Sequence, residues 1–506
     1  MSLKDIPAHE LIDRVAEGWT PTHYGLAEEL LHRIKGKLVA TVEISKVGEG
    51  SLHFTAELTD IRLRGIDNVP CLLLTGDNST AIEACKQFMR MAAGPGKIPF
   101  LLTLSQPAHQ AVLKAQPWIP SLVLSRGQIK ELLETSDGLS FLKCCLRQQI
   151  HRRRLIPYTF LLPVEGPMFF GRSKDLARLI DEEDVSFAIA GPGKIGKSSL
   201  LKEYQRQLKR LRDPRIHRLF YIDCYDFDKT SDDAVARHIA LRIESSKRSS
   251  EMTAAGLVQF LRIKCSRVGG PLELLLDEVD EVCTGTAFRM LGKAARAGLC
   301  RLVLAGRGSL FKMMLSQDEP LSCRVDLIRP EPLDEVSARR LILEPLQDLG
   351  FLIESPDHVV DLITRLTGNL PHLIQFYGKK LADLAVDQGM ERLGLEHVDL
   401  LKWDFEIAGY FISPLQGLSD TESRAVAEVL LRDGRKEFDL PRIQEMAKEH
   451  AIQADVARIA DICNDLVVNN ILAWNAGSFR IANEALPYYA REMGFWDQAS
   501  RPAAHA

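Results

Sequence analysis

The fold of this chain is decided by the stretch Gly191-Pro-Gly-Lys-Ile-Gly-Lys-Ser198. The apolar run 185–190 precedes it and the amphipathic run 199–208 follows it, so the sequence predicts a strand, a loop and a helix in that order. Glycines let backbone N–H groups curl around an anion, and the helix start adds the positive end of its dipole. This spacing therefore predicts a loop that binds the phosphates of a nucleotide. The residues predicted to contact the nucleotide here are Gly191, Gly193, Ile195, Gly196, Lys197, Ser198 and Ser199.

A second motif, Leu274-Leu-Leu-Asp-Glu278, supplies the acids that such a loop needs. Its apolar residues predict a buried parallel strand, whose carboxyl end would put Asp277 beside the phosphates. We expect Lys197 to bridge the β- and γ-phosphates, while Ser198 and Asp277 provide oxygen ligands for Mg²⁺. Glu278 follows immediately and is predicted to act as the general base that activates water.

Strands and helices alternate throughout the region that carries both motifs. The predicted strands are 185–190, 219–223, 272–277, 302–305 and 325–328. This alternation predicts an α/β fold with a five-stranded parallel sheet. Arg307 follows the fourth of these strands and is predicted to be a catalytic residue that places positive charge near the γ-phosphate. Arg296 and Arg301 are weaker candidates for an arginine acting on a neighbouring subunit, and a solvated charge at a helix end is the simpler interpretation of each.

Composition indicates a globular protein of several domains. The chain has 506 residues, of which 46% are hydrophobic and 26% charged, so it is long enough for several packed cores. A net charge of −4 disfavours general electrostatic binding of nucleic acid or acidic lipid. The sequence shows no apolar stretch of membrane-spanning length, no signal-peptide core and no metal-binding cysteine spacing. We therefore expect a cytoplasmic protein with reduced thiols and no membrane contact.

Changes of pattern along the chain predict its domain organisation. The predicted parts are an N-terminal α/β effector or adaptor domain at 1–155, a linker at 156–167, a core that carries both motifs at 168–330, a helical domain at 331–400, a C-terminal domain at 401–495 and a tail at 496–506. Strands that alternate with helices from residue 71 onward predict a parallel sheet in the N-terminal domain. Breakers such as Pro157 and Pro163 indicate the linker. The C-terminal domain is predicted to contain helices 420–431, 441–449 and 454–466 and a hairpin at 471–481.

Three stretches outside the two motifs carry a resemblance to a known family. The segment Met168-Phe-Phe-Gly-Arg172, continued to Leu179, resembles the segment that precedes the P-loop in STAND ATPases, the signal-transduction relatives of AAA+ proteins. Residues 328–345 resemble the start of the lid in bacterial and archaeal members, and residues 366–375 resemble their Gly-x-x-Pro stretch. The resemblance implies that Gly171 and Arg172 lie near the adenine and ribose, and that Pro371 lies over the base.

The resemblance also implies the fold of the C-terminal domain and the cofactors. It implies that 168–330 is a P-loop ATPase core, that 331–400 is a helical lid and that 401–495 forms a winged helix. It also implies that the protein binds ATP or ADP with Mg²⁺. Two departures stand out: Asp175 replaces the usual glutamate, and the stretch 480–486 lacks the histidine that holds the β-phosphate of ADP in many relatives. Locking by ADP through that histidine is therefore in question.

Two functions are compatible with this assembly of motifs. The first is a regulatory switch ATPase that binds Mg²⁺-ATP, hydrolyses it slowly and couples nucleotide state to oligomerisation or effector release. Slow hydrolysis is expected because an arginine finger from a partner is typically worth about 10³–10⁵ in rate, and the sequence shows no strong candidate. The N-terminal domain would then bind a partner protein or a second copy of the chain.

The alternative is an AAA+ DNA-binding ATPase of the origin-initiator type, which shares the core and the winged helix. The third helix of the predicted winged helix carries Asp455, Asp461 and Asp465 against Arg458. A helix that reads a DNA groove normally carries lysines and arginines for the phosphates. DNA binding is therefore disfavoured, although it stays open.

The N-terminal domain shows no set of catalytic residues in its sequence. The acids Glu57, Asp60 and Asp77 lack the Glu-x-Lys pattern of a nuclease, and His53 and His109 are isolated. Each histidine is more simply explained as a core or surface residue. We therefore expect an interaction domain rather than a second enzyme.

Overall fold

The computed structural model describes most of the chain. The described residues are 3–19, 24–38, 40–48, 50–75, 78–92, 96–115, 120–315, 325–401, 405–416, 418, 420–435, 437–475 and 477–495. The predicted tail and Asp77 lie outside them. Among the helices in this described part, none combines the length and the apolar character needed to cross a bilayer.

The N-terminal region is a five-stranded sheet flanked by helices. The helices are α1 (Ala8–Ala16), α2 (Gly25–Leu38), α3 (Asn78–Ala92), α4 (Gln106–Ala115), α5 (Arg126–Glu134), α6 (Gly138–Gln149) and α7 (Arg152–Leu155), and the strands are β1 (Ala40–Gly48), β2 (Ser51–Leu58), β3 (Asn68–Leu74), β4 (Phe100–Thr103) and β5 (Leu122–Leu124). The alternating pattern is confirmed for β3, β4 and β5, which pair in parallel. β1 and β2 precede the alternating stretch and pair antiparallel, because the short connection between them permits only a hairpin; β2 also pairs antiparallel with β3.

The central region contains an all-parallel sheet of five strands. Its helices are α8 (Ser173–Asp181), α9 (Lys197–Arg210), α10 (Asp232–Ile243), α11 (Lys247–Ser250), α12 (Leu257–Val268), α13 (Thr286–Arg296) and α14 (Gly308–Leu315), and its strands are β6 (Ser186–Ala190), β7 (Leu219–Asp223), β8 (Leu272–Asp277), β9 (Cys300–Gly306) and β10 (Val325–Ile328). The strand order is β10-β6-β9-β8-β7, and every pair is parallel, which confirms the predicted sheet. All residues of β6, β8 and β9 are buried because helices cover both faces.

A helical region follows the central sheet. It consists of α15 (Glu335–Asp348), α16 (Pro356–Thr367), α17 (Pro371–Asp387) and α18 (Leu395–Leu401), with the short parallel strands β11 (Leu352–Ile353) and β12 (Arg392–Leu393). Gly368 ends α16 with φ +58°, and a Cβ there would lie 2.1 Å from the carbonyl oxygen of Ala482. A glycine is therefore required where the C-terminal region approaches this helix end.

The C-terminal region contains the three predicted helices and the predicted hairpin. Its helices are α19 (Phe405–Gln416), α20 (Thr421–Asp433), α21 (Leu440–Glu449), α22 (Val456–Val468) and α23 (Leu486–Glu492), and its strands are β13 (Glu437–Phe438), β14 (Leu472–Asn475) and β15 (Ser478–Ile481). β13 adds a third antiparallel strand to the hairpin. Asp420, Asp439 and Asp455 each accept a backbone N–H at the start of a helix, so they act as helix caps.

The segment predicted as a linker is packed between the N-terminal region and the helical region. The hydroxyl of Tyr158 donates to the carbonyl of Ile342 at 2.9 Å. A Cβ at Gly378 would lie 2.3 Å from the ring of Tyr158, so α17 has a glycine notch that receives this ring. One hydrophobic core runs from the N-terminal region through Tyr158 into the helical region. The two regions are therefore in continuous contact, while the domain boundaries stay predictions.

A buried carboxylate fastens the same two regions together. Asp348, at the end of α15, is 6% exposed. It accepts the backbone N–H of Arg62 at 2.7 Å and forms an ion pair with Lys143 at 2.6 Å. Both donors belong to the N-terminal region. Contacts across the boundary between the two regions therefore offset the cost of burying the charge of Asp348.

Candidate functional site

A cavity of about 550 Å³ opens at the carboxyl edge of the central sheet. It is lined by Lys194–Ser199 of the phosphate loop, by the acids at the end of β8 and by Arg307 after β9. Since the carboxyl ends of parallel strands meet at one edge, β6, β8 and β9 bring these residues together. A larger cleft of about 1840 Å³ lies between the helical region and the C-terminal region, and it reaches only Gly191 and Pro192 of the loop.

The phosphate loop closes on itself through the side chain of Lys197. Gly196 has φ +105°, a left-handed conformation that favours glycine, and α9 begins at the next residue. The amine of Lys197 donates to the carbonyls of Gly191 at 2.9 Å and Pro192 at 2.8 Å. Burial lowers the pKa of Lys197 to about 8, although the nearby Glu278 opposes this shift. The ammonium group is thus held at the concave side of the loop, where a phosphate would bind.

Two acids stand at the end of β8 in different environments. Asp277 is 3% exposed; its carboxylate accepts the hydroxyl of Tyr221 at 2.6 Å and the backbone N–H of Glu278 at 3.0 Å. Glu278 has φ +50°, a strained left-handed conformation, and its side chain is one-third exposed. Asp277 is therefore a buried carboxylate held by two donors, whereas the carboxylate of Glu278 is partly exposed in the cavity.

Arg307 lies against both the phosphate loop and Glu278. Its guanidinium is 3.7 Å from the carboxylate of Glu278, and a Cβ at Gly193 would lie 3.6 Å from its Cζ atom. The sequence interpretation missed Asp280, whose carboxylate accepts the backbone N–H groups of Arg307 at 2.6 Å and Ser309 at 3.2 Å. Asp280 thereby caps α14 and holds the backbone that carries Arg307.

Gly171 and Arg172 join the phosphate loop to the start of the helical region. Arg172 is 7% exposed and donates to the carbonyl of Ile195 at 3.3 Å and to the carbonyl of Glu331. Gly171 has φ +70°, and a Cβ there would lie 2.7 Å from the side chain of Leu333. These positions therefore fix the loop against residues 331–333. The guanidinium of Arg172 already donates hydrogen bonds to two backbone carbonyls.

Pro371 begins α17 and lines the cavity together with His372 and Gln375. Burial lowers the pKa of His372 to about 3, so this ring is neutral. The side chain of Gln375 accepts the backbone N–H of Thr159 at 3.2 Å. The segment 159–164 also lines the cavity, a wall that the sequence interpretation missed because breaker-rich segments show no period.

The two residues predicted to hold Mg²⁺ fit that ion. Ser198 and Asp277 line the same cavity. A hydroxyl and an ionised carboxylate are hard oxygen ligands, which Mg²⁺ prefers, and this ion normally completes its shell with water and phosphate oxygens. The described residues therefore offer a donor set of the right chemistry.

The two weaker arginine candidates have different surroundings. Arg301 is 6% exposed, forms an ion pair with Glu273 at 2.5 Å and donates to the hydroxyl of Tyr204 at 2.7 Å. The interpretation of Arg301 as a solvated charge is wrong, because its side chain is buried between the sheet and the helices α8 and α9, where it also donates to the carbonyl of Leu179. Arg296 is exposed at the end of α13, as the simpler interpretation predicted.

Comparisons with known proteins identify the class of the central region. Residues 180–314 match the family described as AAA domain. A Walker-type ATPase of Pyrococcus abyssi is similar in structure, with 14% identity, coverage of 65% of this chain and 99% of that chain, and a TM-score of 0.50. The ORC2 protein of Aeropyrum pernix is 13% identical, with coverage of 67% of this chain and 98% of that chain and a TM-score of 0.48. RuvB of Thermotoga maritima is 14% identical, with coverage of 68% of this chain and 100% of that chain and a TM-score of 0.35. No curated protein matches the chain.

The chain therefore contains an AAA-type P-loop ATPase domain. This confirms the broader part of the resemblance, an AAA+-related P-loop ATPase. The STAND subdivision, the winged helix and the individual roles of the site residues stay predictions.

Proposed function

We propose that the protein is a regulatory switch ATPase, which binds Mg²⁺-ATP, hydrolyses it slowly and couples nucleotide state to oligomerisation or effector release. The observation that carries this proposal is that the phosphate loop directly contacts the parts of the chain that would have to move. Arg172 joins the carbonyl of Ile195 in the loop to the carbonyl of Glu331 before α15. A displacement of the loop by phosphate would change this bond, so nucleotide state can bias the position of the helical region.

A second contact leads from the loop to the C-terminal region. Lys194 has φ +63°, and its amine lies 4.1 Å from the centre of the Tyr410 ring in α19. Tyr410 packs against Phe160 and Phe376, at centroid distances of 5.3 and 5.1 Å. Because a cation over an aromatic face is attracted by about 0.5–2 kcal/mol, movement of Lys194 toward a phosphate would release this attachment.

A third contact leads from the helix behind the loop to the N-terminal region. Arg206 of α9 forms ion pairs with Glu203 on the same helix and with Glu57 of β2. Glu203 also accepts the backbone N–H of Gly166 at 2.7 Å. The helix that begins at the phosphate loop is thus tied to the region for which we propose the effector or adaptor role, through contacts with a partner protein or a second copy.

The residues at the cavity can support hydrolysis by positioning and electrostatics. Lys197 would exchange its two backbone carbonyls for the β- and γ-phosphate oxygens. Bound Mg²⁺, held by Ser198 and Asp277, would neutralise phosphate charge. Glu278 would accept a proton from the attacking water, and Arg307 would face the charge that grows on the γ-phosphate.

The contacts of α22 do not favour the DNA-binding alternative. Arg458, the basic residue of this helix, pairs with Asp420 at 2.8 Å and Glu422 at 2.7 Å. A side chain engaged in this way is less accessible to a DNA phosphate. A gel-shift titration with DNA in increasing salt tests this alternative. Binding that weakens steeply with salt would support the DNA-binding function.

Nucleotide should change the assembly or shape of the protein. We expect mass photometry to give different mass distributions with ADP and with a slowly hydrolysed ATP analogue, or small-angle scattering to give different radii. Equal masses and equal radii in both states would contradict the switch. A Lys197→Ala variant, whose affinity for both nucleotides should be strongly reduced, serves as the control.

The affinity for ADP should fall as the pH rises through 8. Phosphate binds the ammonium form of Lys197, and burial lowers the pKa of this group from 10.5 to about 8. The free protein therefore loses the required proton above pH 8, so the affinity at pH 9 should be about tenfold lower than at pH 7. Calorimetric titrations at pH 7, 8 and 9 measure this, and a flat profile would contradict it.

A further inference from the structure

We propose that Tyr221 is a positioning residue for Asp277 and that its hydroxyl sets the affinity of the nucleotide site for Mg²⁺. This inference rests on the proposed function, because it concerns the metal that would accompany ATP in the same cavity. Tyr221 lies on β7, the edge strand next to β8, and its ring lines the cavity. It belongs to neither of the motifs that predicted the site.

The geometry gives each carboxylate oxygen of Asp277 one defined donor. The hydroxyl of Tyr221 donates to Oδ2 at 2.6 Å, and the backbone N–H of Glu278 donates to Oδ1 at 3.0 Å. Since an ionised carboxylate offers about four acceptor positions, acceptor positions are left for Mg²⁺ or its bound waters. Two donors on two different oxygens also fix the rotation of the carboxylate plane.

The position of the ring explains why a tyrosine is needed here. β7 is parallel to β8, with Tyr221 opposite Leu275 and Asp223 opposite Asp277. On its other side, the ring lies 5.4 Å from the amine of Lys202 in α9. The ring thus spans the space between the strand that carries Asp277 and the helix that carries Ser198. A phenylalanine would fill that space equally well, so the distinct contribution of Tyr221 is its hydroxyl.

Because Asp277 is buried, its orientation depends on the hydrogen bond from Tyr221. Asp277 is 3% exposed, and a buried carboxylate that loses a donor is destabilised or turns toward another partner. Groups that orient a metal ligand typically change metal affinity by about 10–100-fold when they are removed. We therefore expect Tyr221→Phe to raise the Mg²⁺ concentration for half-maximal effect about tenfold. Binding of an ATP analogue without Mg²⁺ should be unchanged, since the substitution does not touch the phosphate loop.

The test is a titration of the 506-residue chain with a fluorescent ATP analogue, measured in EDTA and at increasing Mg²⁺. Tyr488→Phe is the matched control, because it removes the same hydroxyl from a tyrosine of α23 that does not line this cavity. The inference is supported if only Tyr221→Phe needs more Mg²⁺ and its binding in EDTA matches the parent protein. Thermal unfolding of each variant verifies that the fold is retained.

Two results would overturn the inference and leave the proposed function standing. One is an unchanged Mg²⁺ requirement in Tyr221→Phe. The other is an equal loss of binding with and without Mg²⁺, which would show that the tyrosine only supports the local structure. If the parent protein itself binds no nucleotide under any condition, the proposed function and this inference both fail.

Discussion

Replacing Lys197 with alanine should reduce the affinity for ATP by at least about 100-fold, because two charge-assisted hydrogen bonds to phosphate oxygens are lost, each worth about 1.5–3 kcal/mol. Lys197 is 5% exposed and its amine already lies at the concave side of the loop, so other side chains cannot easily replace it. Isothermal titration calorimetry with ATP and Mg²⁺ measures the loss.

Two further variants make this result interpretable. Lys197→Met keeps the aliphatic stem in its buried position and should lose affinity to a similar degree. Lys209→Ala removes an exposed lysine from the last turn of the same helix, and its affinity should match the parent protein. A folded Lys197→Ala protein that binds ATP normally would show that the loop is not a phosphate site.

Replacing Glu278 with glutamine should slow ATP hydrolysis by about 100-fold or more while ATP binding is retained. A general base typically contributes about 10²–10⁴ in rate, and an amide cannot accept the proton from water. Glutamine has nearly the same shape, so the left-handed backbone at this position and its contact with Arg307 can persist. Phosphate release in a single turnover measures the chemical step, and calorimetry measures binding.

Glu281→Gln is the matched control for this prediction. Its carboxylate lies three residues farther along the chain, is 69% exposed and pairs with Lys229 at 2.5 Å. Hydrolysis by this variant should equal that of the parent protein. A Glu278→Gln protein that hydrolyses ATP at the parent rate would exclude Glu278 as the base and direct attention to the other acids of the cavity.

The clustering of these residues was predictable because each follows the end of a parallel strand. The loop follows β6, the two acids end β8 and Arg307 follows β9, so one edge of one sheet had to receive them all. Asp280 and Tyr221 were not predictable in the same way. An aspartate beyond a strand and a tyrosine inside another strand have many ordinary roles, and only their partners show what they do here.

The sequence by itself determined the order of strand, loop and helix at 185–208, the five parallel strands of the core and the acids at their edge, because these features depend on residues adjacent in the chain. Only the tertiary structure decided that Arg301 is buried against Glu273 and Tyr204, and that Tyr158 of the segment predicted as a linker packs against Gly378 of α17. Those outcomes depend on contacts between residues far apart in the chain, and a hydrophobic pattern shows that a side chain is buried without showing what it is buried against.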